Sequence, residues 1–139
     1  MADIQSAVRT VLANHAGTAA LVSTRVYPDI LPQRVATYPA VVLSMVTEDS
    51  TIHQAGISGL GMATIQVDVY AKTRLSAAAV MEQIRLALSD YKGTSQSVVV
   101  RHMYPRTGFT TYEPPSDSSD LGLYRHSRDF AAAYVEATS

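Results

Sequence analysis

Histidine, carboxylate and hydroxyl side chains are where chemistry would start, and this 139-residue chain offers few of them at working spacings. Its four histidines are His15, His53, His102 and His126, and no two are spaced like a metal pair on one helix. Asp49 stands four residues before His53, and Asp129 three after His126. Such spacings align side chains only on a helix, whereas these pairs fall in a segment read as loop and in a strand. No metal site is expected. His15 closes the apolar face of an N-terminal helix, which is a packing or helix-end position. His53 reads as solvated, and His102 and His126 fall on strands from which they could meet across the sheet, with chance pairing the favoured reading.

Nucleophile signatures are equally thin. The chain has no G-x-S-x-G elbow and no phosphate-cradling G-x-x-x-x-G-K-[ST]. One S-x-x-K string occurs, Ser89 to Lys92, at the exposed end of a helix and without S-D-N or K-T-G. The run GISGLG at 56–61 precedes a strand instead of following one and opening a helix, so a dinucleotide reading fails on context. No catalytic residue, cofactor or enzymatic activity is expected.

Asp68 is the most telling carboxylate, being the only charge within its strand, and Arg125, Arg128 and Asp129 on the last strand are its counterparts. Two readings stand side by side. One is a cross-strand salt bridge on the outer face of a sheet, worth at most about 1 kcal/mol if exposed. The other is a polar face packed against another subunit, where paired charges fix register and orientation. Tyr70, Tyr104, Tyr124 and Tyr134 also fall on strands, and nine of the eleven basic residues are arginine. Both residue types are enriched at interfaces. Asp68, Tyr70, Arg125, Arg128 and Asp129 are therefore the candidate subunit-interface residues.

The elements that must position these side chains fill one domain, residues 1–139, with 47% hydrophobic residues to build its core. Charged residues make up 17%, mean hydropathy is +0.05 and the formal net charge is −1. A naked nucleic acid or an anionic membrane is disfavoured as the main partner, and the arginines form no basic stripe. Absence of cysteine excludes disulfides, thiolate metal sites and a cysteine nucleophile. The apolar stretches are too short for a membrane helix, and MADIQSAVRT lacks the pattern of a signal peptide. The cytoplasm of a producing cell is the expected location.

Ile4, Val8, Val11, Leu12 and His15 line one face of a first helix, which Asp3 can cap and Gly17 ends or kinks. Ala19 to Val22 read as a further short turn. Arg25 to Pro39 holds three prolines and reads as an ordered, extended connection outside any regular element. Ala40–Val46 is a buried strand by its β-branched content. Gly61–Ala71 is a second strand, with Ile65, Val67 and Val69 on one side and Thr64, Gln66, Asp68 and Tyr70 on the other. Between them, TEDSTIHQAGISGL reads as a loop of roughly fourteen residues, far above the usual two to five of a hairpin. Such loops tend to be functional, which makes Glu48, Asp49, Ile52, His53, Gln54 and Ile57 candidates for docking to a partner.

Ser76 is the expected cap of a helix over about Ala77–Lys92, with Gly93 at its C-terminal cap. Ser97–Tyr104 is a third strand that Pro105 and Gly108 break, Phe109–Tyr112 a short one, and Leu121–Ala137 a long last strand. The Pro-Pro-Ser-Asp-Ser-Ser-Asp run at 114–120 is a solvated turn or loop of open role. The fold class is α+β: a largely antiparallel sheet of four to five strands with two helices on one face, in the order α-β-β-α-β-β.

The order of pieces then matters more than any single motif. R-V-Y-P at 25–28 leads to Y-P-A-V-V-L at 38–43, and a polar stretch precedes I-Q-V-D-V-Y-A at 65–71. This resembles the tail completion, or tail terminator, proteins of long-tailed phages and gene transfer particles. Arg25, Tyr27 and Pro39 match the family's R-[IV]-Y and Y-P pieces, and Gln66, Asp68 and Tyr70 its Q-x-D-x-[YF] strand. The resemblance implies a structural virion protein in the neck of the tail, assembled in the host cytoplasm. It implies a ring, typically a hexamer, that caps the tail tube, stops its polymerisation and meets the head connector or stopper. DNA would pass through the lumen without specific binding, which suits a near-neutral subunit, and no membrane is involved. The competing reading is a small dimeric ligand-binding or enzymatic α+β domain. It requires a pocket where polar groups such as Asp68, His102, His126 and Arg128 converge.

Overall fold

The computed structural model describes residues 4–31, 37–53, 56–95, 98–113 and 122–136. Three helices, α1 (Ile4–Asn14), α2 (Ala16–Val22) and α3 (Arg74–Leu88), lie against one face of a six-stranded sheet. Its strands are β1 (Val26–Pro28), β2 (Ala40–His53), β3 (Gly56–Ala71), β4 (Gly93–Ser95), β5 (Val98–Glu113) and β6 (Leu123–Glu136). They are ordered β1-β2-β3-β6-β5-β4 across the sheet. The α+β class holds. The strand and helix numbers rise to six and three, and the sheet is mixed because β1 runs parallel to β2.

The core follows the period-2 and period-3.6 patterns of the sequence. Ile65, Val67 and Val69 of β3 are fully buried in one cluster with Ile4, Val8 and Leu12 of α1 and Val80, Ile84 and Leu88 of α3. Phe130 of β6 joins them. Each such side chain contributes about 1.5–3 kcal/mol by leaving water. The sheet is curled, so that α1 touches β1 and β2 at one edge and β4 at the other. Side chains tie it to both. Gln5 Nε2 donates to the Leu43 carbonyl at 2.7 Å and Arg9 Nε to that of Val26 at 2.9 Å, while the buried Ser95 hydroxyl donates to the Ala7 carbonyl at 2.9 Å.

Several boundaries move. The first helix ends at Asn14, and the break falls on His15, two residues before Gly17. His15 caps α2: its Nδ1 accepts the Thr18 amide at 3.2 Å, which is the helix-end role expected of it. Thr73, and not Ser76, caps α3, its hydroxyl accepting the Ser76 amide at 3.1 Å. That helix ends at Leu88, with Asp90 in the left-handed region, and Gly93 lies in β4. Pro105 and Gly108 do not break their strand. A bulge between them absorbs the irregularity, and pairing with β6 resumes at Gly108↔Arg128. Val26–Pro28, read as irregular, pairs with Val41–Leu43.

The largest correction concerns residues 47–60. Residues 47–53 and 56–60 are strand and not loop. Thr47↔Thr64 through Ser50↔Gly61, then Ile52↔Ile57 and His53↔Gly56, extend β2 and β3 as one long hairpin. Pairing of β3 with β6 begins only at Leu60↔Val135, so the hairpin runs past the body of the sheet as a two-stranded arm. Gln54, Asp3 and the 114–120 run lie outside the described residues.

Candidate functional site

The ladder between β3 and β6 sorts the candidate residues by face. Asp68 lies opposite Ser127, Gln66 opposite Asp129 and Tyr70 opposite Arg125, all on the face away from the helices. Val67 lies opposite Arg128 and Val69 opposite His126, on the helix face. Asp68, Tyr70, Arg125 and Asp129 are therefore brought together, and Arg128 is not among them. Its parity along the strand, shared with the core residue Phe130, already carried that information.

Asp68 is 4% exposed, although no helix covers it. A carboxylate so buried must be paired. Gln66 Nε2 donates to its Oδ1 at 3.1 Å and Oδ2 at 3.0 Å, and Arg125 Nη2 donates to Oδ2 at 3.2 Å. Gln66 was not among the candidate residues, yet it meets both carboxylate oxygens. Its place two residues from Asp68 on the same strand face was the available signal. Around this pair the same sheet face exposes Met62 (42%), Tyr104 (41%) and Phe109 (51%).

On the helix face, Arg128 Nη1 donates to the Arg106 carbonyl at 3.1 Å and so pins the β5 bulge from within. Gly108 is needed there, since a Cβ would stand 3.0 Å from the Ser127 carbonyl and 3.1 Å from Arg128 Nε. Burial pushes the pKa of His126 below the ordinary histidine range, and the charges of Arg128 and Arg74 add to this. His102 belongs elsewhere: its Nε2 is 3.1 Å from Asp90 Oδ1 and its ring packs 5.6 Å from that of Tyr104. His102 pairs in register with Ala133, and His126 with Thr110. The pocket that an enzymatic reading requires is not assembled, because Asp68 and His126 stand on opposite faces of one sheet. Among the described residues, no group of three or more metal-ligating side chains forms, and no helix is long and apolar enough to cross a membrane.

The motif residues Arg25, Tyr27 and Pro39 have a structural role in common. Arg25 Nε donates to the Pro39 carbonyl at 2.9 Å and Nη2 to that of Leu21 at 3.2 Å, clasping the end of α2 to the entry of β2. Tyr27 pairs with Val42, in the ladder that begins when the Val41 amide donates to the Arg25 carbonyl. The family model of tail completion protein gp17 matches residues 6–134.

The chain belongs to the tail completion protein family.

In this tail completion protein the match takes in α1 from Ser6, α2, α3 and the β3–β6–β5 ladder up to Tyr134. A similar solved chain comes from the structure titled "Virion of native gene transfer agent (GTA) particle". It is 21% identical, with a TM-score of 0.70 over 95% of this chain and 94% of that one. At this identity the likeness establishes the fold. No curated protein matches the chain.

Proposed function

We propose that the chain forms a ring that caps the finished tail tube, stops its polymerisation and joins the tail to the head connector. The observation that carries this reading is the tail completion family match over residues 6–134. The likeness to a chain of a gene transfer agent virion supports a place in the particle; the proposed position is the neck of the tail, after assembly in the host cytoplasm. A ring needs two different, complementary patches on each subunit. Six copies would weigh about 90 kDa, from 15.0 kDa each. The partners are further copies of the chain, the tail tube protein and the connector or stopper, with DNA passing through the lumen unbound.

The two-stranded arm takes over the docking role expected of a loop. Ile52, His53 and Ile57 on the arm, Glu48 and Asp49 at its base, and Gln54 are proposed to meet the tube or line the lumen. Tyr70, Arg125 and Asp129 are proposed to face neighbouring subunits, with Asp68 fixing Arg125 from beneath and Arg128 acting through the Arg106 carbonyl at the β5 rim. The role is structural, and no catalytic step is assigned. The test is deletion of residues 50–58. Pairing of β3 with β6 starts at Leu60, so the sheet body is expected to survive with unchanged circular dichroism. Tail capping, followed by electron microscopy of assembled tails, is expected to be lost; capping that persists would refute the arm's role.

A further inference from the structure

Sheet edges are where this fold leaves hydrogen-bonding capacity unspent. At one edge, β1 covers β2 only over Val41–Leu43, and no described strand pairs with β2 on that side from Ser44 onward. At the other, β4 covers β5 only over Val98–Val100, and the Asp90 amide takes the Met103 carbonyl at 2.7 Å. From Tyr104 onward no described strand pairs with β5 on its outer side. Each bare stretch carries exposed apolar side chains: Val46 (50%) on the first, Tyr104 and Phe109 on the second.

We infer that residues 44–50 of β2 in one copy pair, antiparallel, with residues 105–111 of β5 in the next copy, which sets Val46 opposite Phe109 and Asp49 opposite Arg106. The inference rests on the ring reading and names its contact. Three observations carry it. Strand polarity is the first: β2 and β6 run one way, β3 and β5 the other, so a neighbour in the same orientation offers its β5 antiparallel to β2. The alternation of the sheet then continues across the boundary without a reversal.

Charge is the second. Residues 44–50 contain Glu48 and Asp49 and no cation, whereas residues 105–111 contain Arg106 and no anion. A two-fold pairing of β2 with itself over 44–53 would set Glu48 against the Asp49 of the other copy, and like charges directly opposite are destabilising. The third is the bulge. Arg128 holds the Arg106 carbonyl inward while the Arg106 residue stays exposed at the rim. Two different edges meeting head to tail make a heterologous contact, the kind that closes into a ring.

The chain has no cysteine, so introduced thiols report cleanly. Val46→Cys, Phe109→Cys and the double variant are each oxidised with copper–phenanthroline, alone and after mixing with tail tubes, and run on non-reducing gels. The double variant is expected to give a ladder ending at ring size, a mixture of the single variants a dimer, and each single variant alone a monomer. Cross-linking of V46C with itself would overturn the inference in favour of a two-fold contact. Double-variant protein that caps tubes without cross-linking would overturn it while sparing the ring reading. Protein that neither cross-links nor caps tubes would overturn both. Charge reversal adds an independent readout: Glu48→Arg with Asp49→Arg, or Arg106→Glu, is expected to abolish the ladder, and the three changes together to restore it.

Discussion

Replacing Asp68 by asparagine keeps the shape of the side chain and removes its charge, which makes it a direct probe of the buried polar cluster. The carboxylate accepts from Gln66 through both oxygens and from Arg125 through one. An asparagine keeps one acceptor and turns the other position into a donor facing the Gln66 amide. The side chain of Asp68 is 5% exposed and that of Arg125 27%. Breaking a fully buried pair costs about 3–5 kcal/mol, and losing a hydrogen bond to a charged group about 1.5–3. Because water still reaches part of Arg125, the lower range applies, and about 2 kcal/mol is expected. Unfolding entropy of about 2.1 cal/mol/K per residue, over this chain length, turns that into a Tm lower by about 7 °C. Thermal melts followed by circular dichroism at equal protein concentration measure it. A cycle with Arg125→Met and the double variant isolates the pair, with a coupling of about 1–2 kcal/mol expected. A Tm within about 1 °C of the parent, or additive single effects, would refute the reasoning that this cluster is a stabilising, desolvated pair.

Three further outcomes follow from local geometry. Thr73→Ala is expected to cost about 1 kcal/mol through loss of the α3 cap and Ser76→Ala much less, by urea unfolding; the reverse order would restore Ser76 as the cap. A Cβ at Gly61 would stand 2.6 Å from Cζ of Tyr134, a ring only 3% exposed, so Gly61→Ala is expected to lose about 1–2 kcal/mol. Less should be lost in a Tyr134→Leu background, and equal losses in both would show that the ring is not the obstacle. His126 titrates below its unfolded value, so the unfolded chain binds the proton first as pH falls and stability declines through the mildly acidic range. His126→Gln should lose less stability than the parent between about pH 7.5 and 5; parallel pH profiles would contradict the assigned burial.

How much of this was legible depends on what lay beneath each segment. The strand with Ile65, Val67 and Val69 and the helix with Val80, Ile84 and Leu88 sit on the core, and burial writes its period into sequence. The stretch 47–60 lies at and beyond the end of the described β3–β6 pairing and holds mostly small and polar residues. Its serines, threonines and glycines therefore read as a loop while the backbone pairs as a hairpin. Three-residue β1 and β4 are too short to show any period. Pro105 and Gly108 carry a break signal that a bulge accommodates, the ladder with β6 shifting register between Pro105↔Phe130 and Gly108↔Arg128. At the candidate site, the Asp68–Arg125 pairing was legible from strand assignment. The separation of Arg128 from it was legible too, by counting residues from Phe130.

The central claim is that this chain ends tail growth and makes the tail competent for a head. Its most direct measurement is the tail-length distribution, by electron microscopy, in particles assembled with and without the chain. With it, tails are expected at one length, bearing a ring at the head-proximal end. Without it, tubes of irregular length lacking heads are expected. Tails of normal length joined to heads in its absence would contradict the account.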